Sequence, residues 1–250
     1  IVALKYGALR AALPDIQAAV DAHTTVMSLM NGVDSEEIIA SAIGEEHMIY
    51  SLIKVASAYQ EGRGYCFDPA ITIGIIYGEA KEPRESVRIH ALQEVFGKTR
   101  LNTRATDCIR EEIWNKFRLN VCNNLPQAIL GAGVGCYRDS VHMKAISDGL
   151  RHEVEQIAAA KGVDMEKLAS LTSTGCAVPP SARYSTLQDL DAGRHTEIDM
   201  FAGALMRMGE EYGIPTPYST YTYHMIKALE EKHDGLFDYE GQIEKNCAAR

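Results

Sequence analysis

The hydrophobic periodicity changes once along this chain, and that change restricts the fold more than any single motif. Over the first hundred residues, short apolar runs alternate with amphipathic stretches. "IVALK" at 1–5 predicts a buried strand that begins at the first residue, and "RAALPDIQAAVD" predicts a helix with a proline near its start. "TTVMSLMNG" at 24–32 predicts a second strand closed by an Asn-Gly turn. "DSEEIIASAIG" predicts a helix capped by Asp34 or Ser35, with acids at the positive end of its dipole. Two β-rich runs follow, "HMIYSLIKVASAY" and "ITIGIIYGE", then a helix near 84–96. Alternation of this kind predicts an α/β sheet.

From about residue 104 the β signal disappears. "RATDCIREEIWNKFRLNVCNNLPQAIL" keeps helical period for over twenty residues. Further helices are predicted over "MKAISDGLRHEVEQIAAAKG", "DMEKLASLTSTG", "TEIDMFAGALMRMGEEYG" and "YSTYTYHMIKALEEKH". Gly162 ends the first of these, and Gly213, Pro215 and Pro217 stop the third. The expected division is therefore an α/β domain over 1–103 and an all-helical domain over 104–250. The sheet starts abruptly on Ile1, so further strands of the same sheet are expected upstream of this sequence.

Composition excludes some classes of function. A net charge of −9 argues against a general nucleic-acid binder, because phosphate backbones are gripped by clustered Lys and Arg. It leaves room for a local basic pocket around one phosphorylated cofactor. No apolar run approaches the roughly 18–20 residues of a membrane-spanning helix, so no membrane partner is expected. The six cysteines are scattered, with no C-x-x-C pair and no ligand spacing. Free thiols in a reducing cytoplasm are expected, and no metal site.

Two polar constellations stand out. Lys116, Asn120 and Asn124 recur at four-residue spacing within "NKFRLNVCNN". In an α-helix they would form one stripe about three turns long, bordered by Ile113, Phe117 and Val121. An ordinary solvated face is one account of that stripe. A solvated face, however, usually mixes Glu with Lys, and two mid-helix asparagines cost propensity without local return. Amides suit the binding of a carboxylate and hydroxyls, and a lysine amid apolar neighbours suits a proton donor. The second constellation is "STLQDLDAGRHTEID" at 185–199, in which Thr196 is expected to N-cap a helix beginning at Glu197. A capped helix start accounts for Glu197 and Asp199 by itself. It does not account for so polar a run ahead of a strongly apolar helix.

Together these segments resemble the ketopantoate reductase (2-dehydropantoate 2-reductase) family. "WNKFRLNVCNN" resembles its K-x-x-x-N-x-x-x-N helix, and "STLQDLDAGRHTEID" its S-[MT]-L-Q-D block. "IVALKYGAL" and "LMNGVDSEE" resemble two cofactor-domain segments in the right order, and "GIPTP" falls where the family has Gly-Ile-x-x-Pro. The resemblance covers essentially the whole chain. It implies an incomplete Rossmann-like α/β domain followed by a helical domain like the C-terminal one of 6-phosphogluconate dehydrogenase. It implies NADPH-dependent reduction of 2-ketopantoate to D-pantoate, on the route to pantothenate and coenzyme A. Carried over by motif, Lys116 is the general acid and Glu197 the carboxylate that orients the site. Asn31, Asn120, Asn124, Ser185 and Gln188 bind substrate, while Lys5, Asn31, Ala58 and Glu197 lie on the cofactor side. A homodimer is compatible with the resemblance.

One departure is plain. The family's G-x-G-x-x-G, which cradles the pyrophosphate, is nowhere in the 250 residues. "GAGVG" at 131–135 has the wrong spacing, follows a helix and opens no βαβ unit. The chain by itself is therefore expected to bind dinucleotide poorly and to be inactive. Two alternatives stay open at this point: a related reductase of another 2-keto acid, and a non-catalytic helical interaction module.

Overall fold

A computed structural model describes residues 1–55, 57–62, 64–67, 72–81, 85–168, 178–237 and 239. The chain divides into two compact units, Ile1–Phe117 with Ala158–Cys176, and Arg118–Ile157 with Ala177–Arg250.

The first unit runs α1 (Tyr6–Ala18), β1 (Val26–Met27), α2 (Ser35–Ile43), β2 (Met48–Lys54), β3 (Ser57–Gln60), β4 (Gly64–Phe67), β5 (Gly74–Gly78), α3 (Val87–Phe96) and β6 (Thr103–Ala105), then enters α4 (Ile109–Leu119). Four strands make one sheet in the order β1-β2-β5-β6. β1 pairs parallel with β2, β2 antiparallel with β5, and β5 parallel with β6. Successive strand residues point to opposite faces, so Val26 and Met48 join one apolar cluster while Met27 and Ile49 join the other. The first cluster packs beneath α1 and α2 through Leu9 and Ile39. The second packs beneath α3 through Ile89 and Phe96, with Tyr77 against Phe96. A sheet covered by helices on both faces is the Rossmann-like layering that the alternating pattern predicts.

Local structure departs from expectation in several places. The 1–5 strand contributes one parallel bridge, with Val2 N–H donating to Met27 O and Leu29 N–H to Val2 O, both at 2.9 Å. The 24–32 strand contracts to Val26–Met27. α1 begins at Tyr6, so Pro14 lies inside the helix rather than near its start. Burial of Leu9 and the Tyr6 hydroxyl bond to Asp34 Oδ2 (2.6 Å) hold the upstream turns and outweigh the hydrogen bond that proline forfeits. β3 and β4 form an antiparallel hairpin, of which β4 was not expected. β6 is also a strand at 103–105, inside the stretch whose β signal fades, because pairing with β5 supplies what three residues cannot signal alone.

The second unit holds a π-helical turn (Asn120–Asn124), α5 (Leu125–Leu130), α6 (Cys136–Asp139), most of α7 (Val141–Ala160), α8 (Ser185–Asp191), α9 (Ala202–Tyr212) and α10 (Pro217–His233). α5 packs on α8 and α10, and α9 on α10. Leu125, Leu150, Val154, Ile157, Ile198, Leu205 and Ile226 are fully buried. Each such side chain contributes roughly 1.5–3 kcal/mol of hydrophobic stabilisation. The N-terminus of α10 is capped from α7: Glu153 accepts from Tyr218 N–H (2.6 Å), Ser219 N–H (2.8 Å) and the Ser219 hydroxyl (2.6 Å). A carboxylate there meets both the unpaired amides and the positive end of the dipole.

Two helical expectations are corrected here. The helix expected from Glu197 begins instead at Ala202, and 197–201 is a chain of turns. Thr196 lies too far upstream to cap it: its Oγ1 accepts from Ile198 N–H at 3.3 Å, capping only that local turn, while its N–H and hydroxyl donate to Glu230 Oε1 at 2.7 Å. The described start of the helix expected over "DMEKLASLTSTG" is 3₁₀ rather than α, at Met165–Leu168, and residues 169–175 lie outside those described. No described helix is long and apolar enough to cross a membrane.

Candidate functional site

Lys116 stands near the end of α4, half-buried. Its Nζ donates to Asn31 Oδ1 at 2.7 Å and to the Ile53 carbonyl oxygen at 2.6 Å. An ammonium has three donors, and these two oxygens engage two of them. Asn31 lies beyond β1, in a turn that Gly32 allows with φ +95°. Ile53 is near the end of β2. Partners 85 and 63 positions away in sequence thus meet at one ammonium.

Beneath this pairing lies a sealed polar network of Ser28, Ser35, Glu36 and Ser51, each no more than 3% exposed. Burial pushes the Glu36 carboxyl up to about 7, against the opposing pull of the Ser35 hydroxyl and the amides of Glu36 and Ser51. Desolvation dominates because so little of the group meets water.

The remaining expected residues are distributed as follows. Lys5 is exposed at the N-cap position of α1, and Ala58 lies in β3 opposite Cys66. Asn120 and Asn124 belong to the second unit, where the π turn carries both. The run is helical there as expected, but with π rather than α pairing over Asn120–Asn124. Asn124 is 5% exposed. Cys122, between them, has its thiol pushed up to about 12 by burial, which leaves it a poor nucleophile. Ser185 opens α8, and both it and Gln188 are exposed. The Gln188 amide donates to Arg183 O at 2.6 Å.

Glu197 is half-buried in the turns before α9, and α10 grips the chain on both sides of it. Glu230 holds Thr196, and Lys227 Nζ donates to Asp199 Oδ2 at 2.9 Å. The Tyr223 hydroxyl donates to Asp199 Oδ1 at 2.8 Å. Burial alone would raise the Asp199 carboxyl, yet Lys227 and Tyr223 hold it below its usual value. The segment before Ser185 is pinned from α5. Gln127 Nε2 donates to Ala182 O, and Tyr184 N–H donates to Gln127 Oε1, both at 2.9 Å.

Of the residues named from sequence, Lys116 and Asn31 are brought together by the structure. Sequence reasoning missed Glu36, Gln127, Lys227 and Glu230, whose partners lie far off in sequence and whose local patterns are those of ordinary helix residues. Among the described residues, no group of three or more His, Cys, Asp or Glu side chains is arranged to hold a metal ion.

A helix-covered Rossmann-like sheet, with a lysine and an asparagine paired beyond its strands, and a helical unit after it define a two-domain protein of the kind that carries its polar groups at strand ends. Residues 1–74 match the family model of ketopantoate reductase PanE/ApbA, and residues 108–230 match the model of that family's C-terminal part. The chain belongs to the ketopantoate reductase family.

Its similarity to a 2-dehydropantoate 2-reductase of Streptococcus pyogenes serotype M18 is 28% identity over 227 residues, covering 87% of this chain and 71% of that protein. A 2-dehydropantoate 2-reductase of Archaeoglobus fulgidus is 27% identical over 224 residues, covering 85% and 70%. In fold, the chain resembles a PanE/ApbA family ketopantoate reductase from Ralstonia eutropha JMP134, with a TM-score of 0.74 at 22% identity over 92% of this chain and 75% of that one. It also resembles D-mandelate dehydrogenase solved with NADH and anilino(oxo)acetate, with a TM-score of 0.77 at 24% identity, covering 93% and 76%.

Proposed function

We propose that this chain supplies the catalytic and substrate-binding groups of an enzyme that reduces 2-ketopantoate to D-pantoate with a nicotinamide nucleotide, Lys116 acting as general acid. The observation that carries the reading is the Lys116 ammonium, held by Asn31 Oδ1 and the Ile53 carbonyl beyond the strands of a ketopantoate reductase family sheet. Negative charge grows on a ketone oxygen as hydride arrives at its carbon. A cationic donor aimed at that oxygen stabilises the charge and delivers the proton. In the second unit, Asn120, Asn124, Ser185 and Gln188 are assigned to the carboxylate and hydroxyls of the substrate, and Glu197 to the orientation of the site. The relatives' names support this substrate, and the cytoplasm is the compartment in which such an enzyme would work.

The residues present fit the nicotinamide end of a dinucleotide. Asn31 offers a strand-end amide, and Lys5 offers an exposed cation at the start of α1. The pyrophosphate end has no G-x-G-x-x-G among the 250 residues. When bound, the nucleotide, with NADPH the expected form, supplies the hydride. Asn31, which also holds Lys116, would hold the nucleotide together with Lys5, Ala58 and Glu197.

The test is NADPH oxidation with 2-ketopantoate, by the 250 residues alone and by the same chain with a glycine-rich βαβ segment fused ahead of Ile1. Turnover is expected only in the fused form. There, Lys116→Ala should lower kcat by ~10²–10⁴, the usual contribution of a positioned acid, with circular dichroism unchanged. A fused Lys116→Ala enzyme as fast as its parent would remove Lys116 from the chemistry. Faster turnover of pyruvate or 2-ketoisovalerate than of 2-ketopantoate would reassign the substrate.

A further inference from the structure

The two oxygens that hold the Lys116 ammonium belong to different segments, and one buried network supports both. Met30, the residue before Asn31, donates its N–H to Ser28 Oγ at 3.3 Å. Ser28 Oγ and Ser35 Oγ are 2.9 Å apart, and Ser35 Oγ donates to Glu36 Oε2 at 2.8 Å. A hydroxyl has one proton, so donation by Ser35 to Glu36 leaves Ser28 to donate to Ser35. Every proton in this chain therefore points toward the Glu36 carboxyl.

On β2, Ser51 stands two residues before Ile53. The Ser51 hydroxyl in turn donates to the Ser28 carbonyl, closing the network between the turn and the strand. Its four members are buried, and buried polar groups in a connected network admit one arrangement at much lower cost than any other.

We infer that Glu36 is a positioning residue for Lys116, fixing the Asn31 turn through Ser35 and Ser28, the residue to which Ser51 ties the strand that carries the Ile53 carbonyl. Its consequence for turnover rests on the assignment of Lys116 as the acid, whereas its consequence for geometry does not. The closing experiment reads the two separately.

In protein carrying 15N at the lysine Nζ atoms, an ammonium gives a proton signal only where burial and hydrogen bonding slow its exchange with water. The Lys116 signal is assigned by its loss in Lys116→Arg. Glu36→Ala is expected to speed exchange at Lys116 by roughly tenfold, the effect of loosening about one well-made hydrogen bond. Glu36→Gln keeps the side chain's shape and one acceptor oxygen and should recover most of the protection. Should Glu36→Ala fail to fold, Ser28→Ala, which removes the hydroxyl linking Ser35 to the Met30 amide and leaves the Glu36 carboxyl in place, carries the same expectation. An unchanged Lys116 exchange rate in the folded variant, or equal loss in Glu36→Gln and Glu36→Ala, overturns the inference. In the fused enzyme Glu36→Ala should lower kcat more than it raises KM. If Lys116→Ala leaves turnover untouched, the acid assignment falls while the exchange rates still decide the positioning.

Discussion

Raising the pH should weaken this fold through one buried carboxyl. Glu36 is 3% exposed, and burial moves it from 4.5 to about 7. Its place in the first turn of α2 favours the anion, but a helix dipole contributes only about 0.3–1 kcal/mol there, less than the desolvation that opposes it. A carboxyl raised in the folded state binds its proton more tightly folded than unfolded. Between pH 4.5 and about 7 the folded state therefore holds more protons, and stability falls as pH rises. Above that window and below it, this group is neutral in its effect on the slope. At about 1.4 kcal/mol for each pH step, the loss across the window is about 3 kcal/mol. Carboxylates held low, such as Asp199, act with the opposite sign, so the measurement is a difference. Urea unfolding of the parent and of Glu36→Gln, compared from about pH 4.5 to about pH 8, isolates the term. The parent should lose about 3 kcal/mol relative to the variant as pH rises. Parallel curves would mean that Glu36 titrates normally, and a relative gain for the parent would mean that the amides and hydroxyls around it outweigh desolvation.

Three further perturbations have outcomes set by the geometry. Glu153→Ala removes three hydrogen bonds to the first turn of α10 and should cost about 3 kcal/mol in urea unfolding, with Glu153→Gln costing less. Gln127→Leu leaves the Tyr184 amide and the Ala182 carbonyl without that partner and should cost about 2–4 kcal/mol, seen as a lower Tm. A Cβ at Gly133 would lie 2.4 Å from Pro180 O, whereas at Gly131 it meets open space and only the backbone at φ +71° resists. Gly133→Ala should therefore destabilise by more than the roughly 1 kcal/mol expected of Gly131→Ala, and a smaller effect at Gly133 would show that the 179–182 turn yields.

Much of the architecture was legible in local pattern. Alternating strand and helix signals implied a covered sheet, and helical period after residue 104 implied the helical unit, because hydrophobic spacing and chain breakers act over a few residues. α2, α3, α7, α9 and α10 all lie where those signals put them, within a turn or two at their ends. Lys116 was legible as a notable polar residue, from residue types in its row that fit poorly on a solvated face, whereas Asn31 was named only through the family resemblance.

Tertiary structure alone decided the rest. β1 and β6 hold two and three residues, too few to carry a period, and exist because a neighbouring strand supplies their hydrogen bonds. The π turn at 120–124 interrupts a run whose α-helical spacing is unbroken in sequence, with Val121, Cys122, Asn124 and Leu125 all buried in and beside it. Thr196 does accept from Ile198 N–H, but the helix waits until Ala202, and Glu230, 34 positions away, takes both Thr196 donors. The meeting of Lys116 with Asn31 and Ile53, and the Glu36 network beneath it, join segments that no window of neighbouring residues contains. Local sequence sets which groups are present and which elements they ride on. Their pairing is set by desolvation and hydrogen bonding among distant segments, which act only once the chain has closed around them.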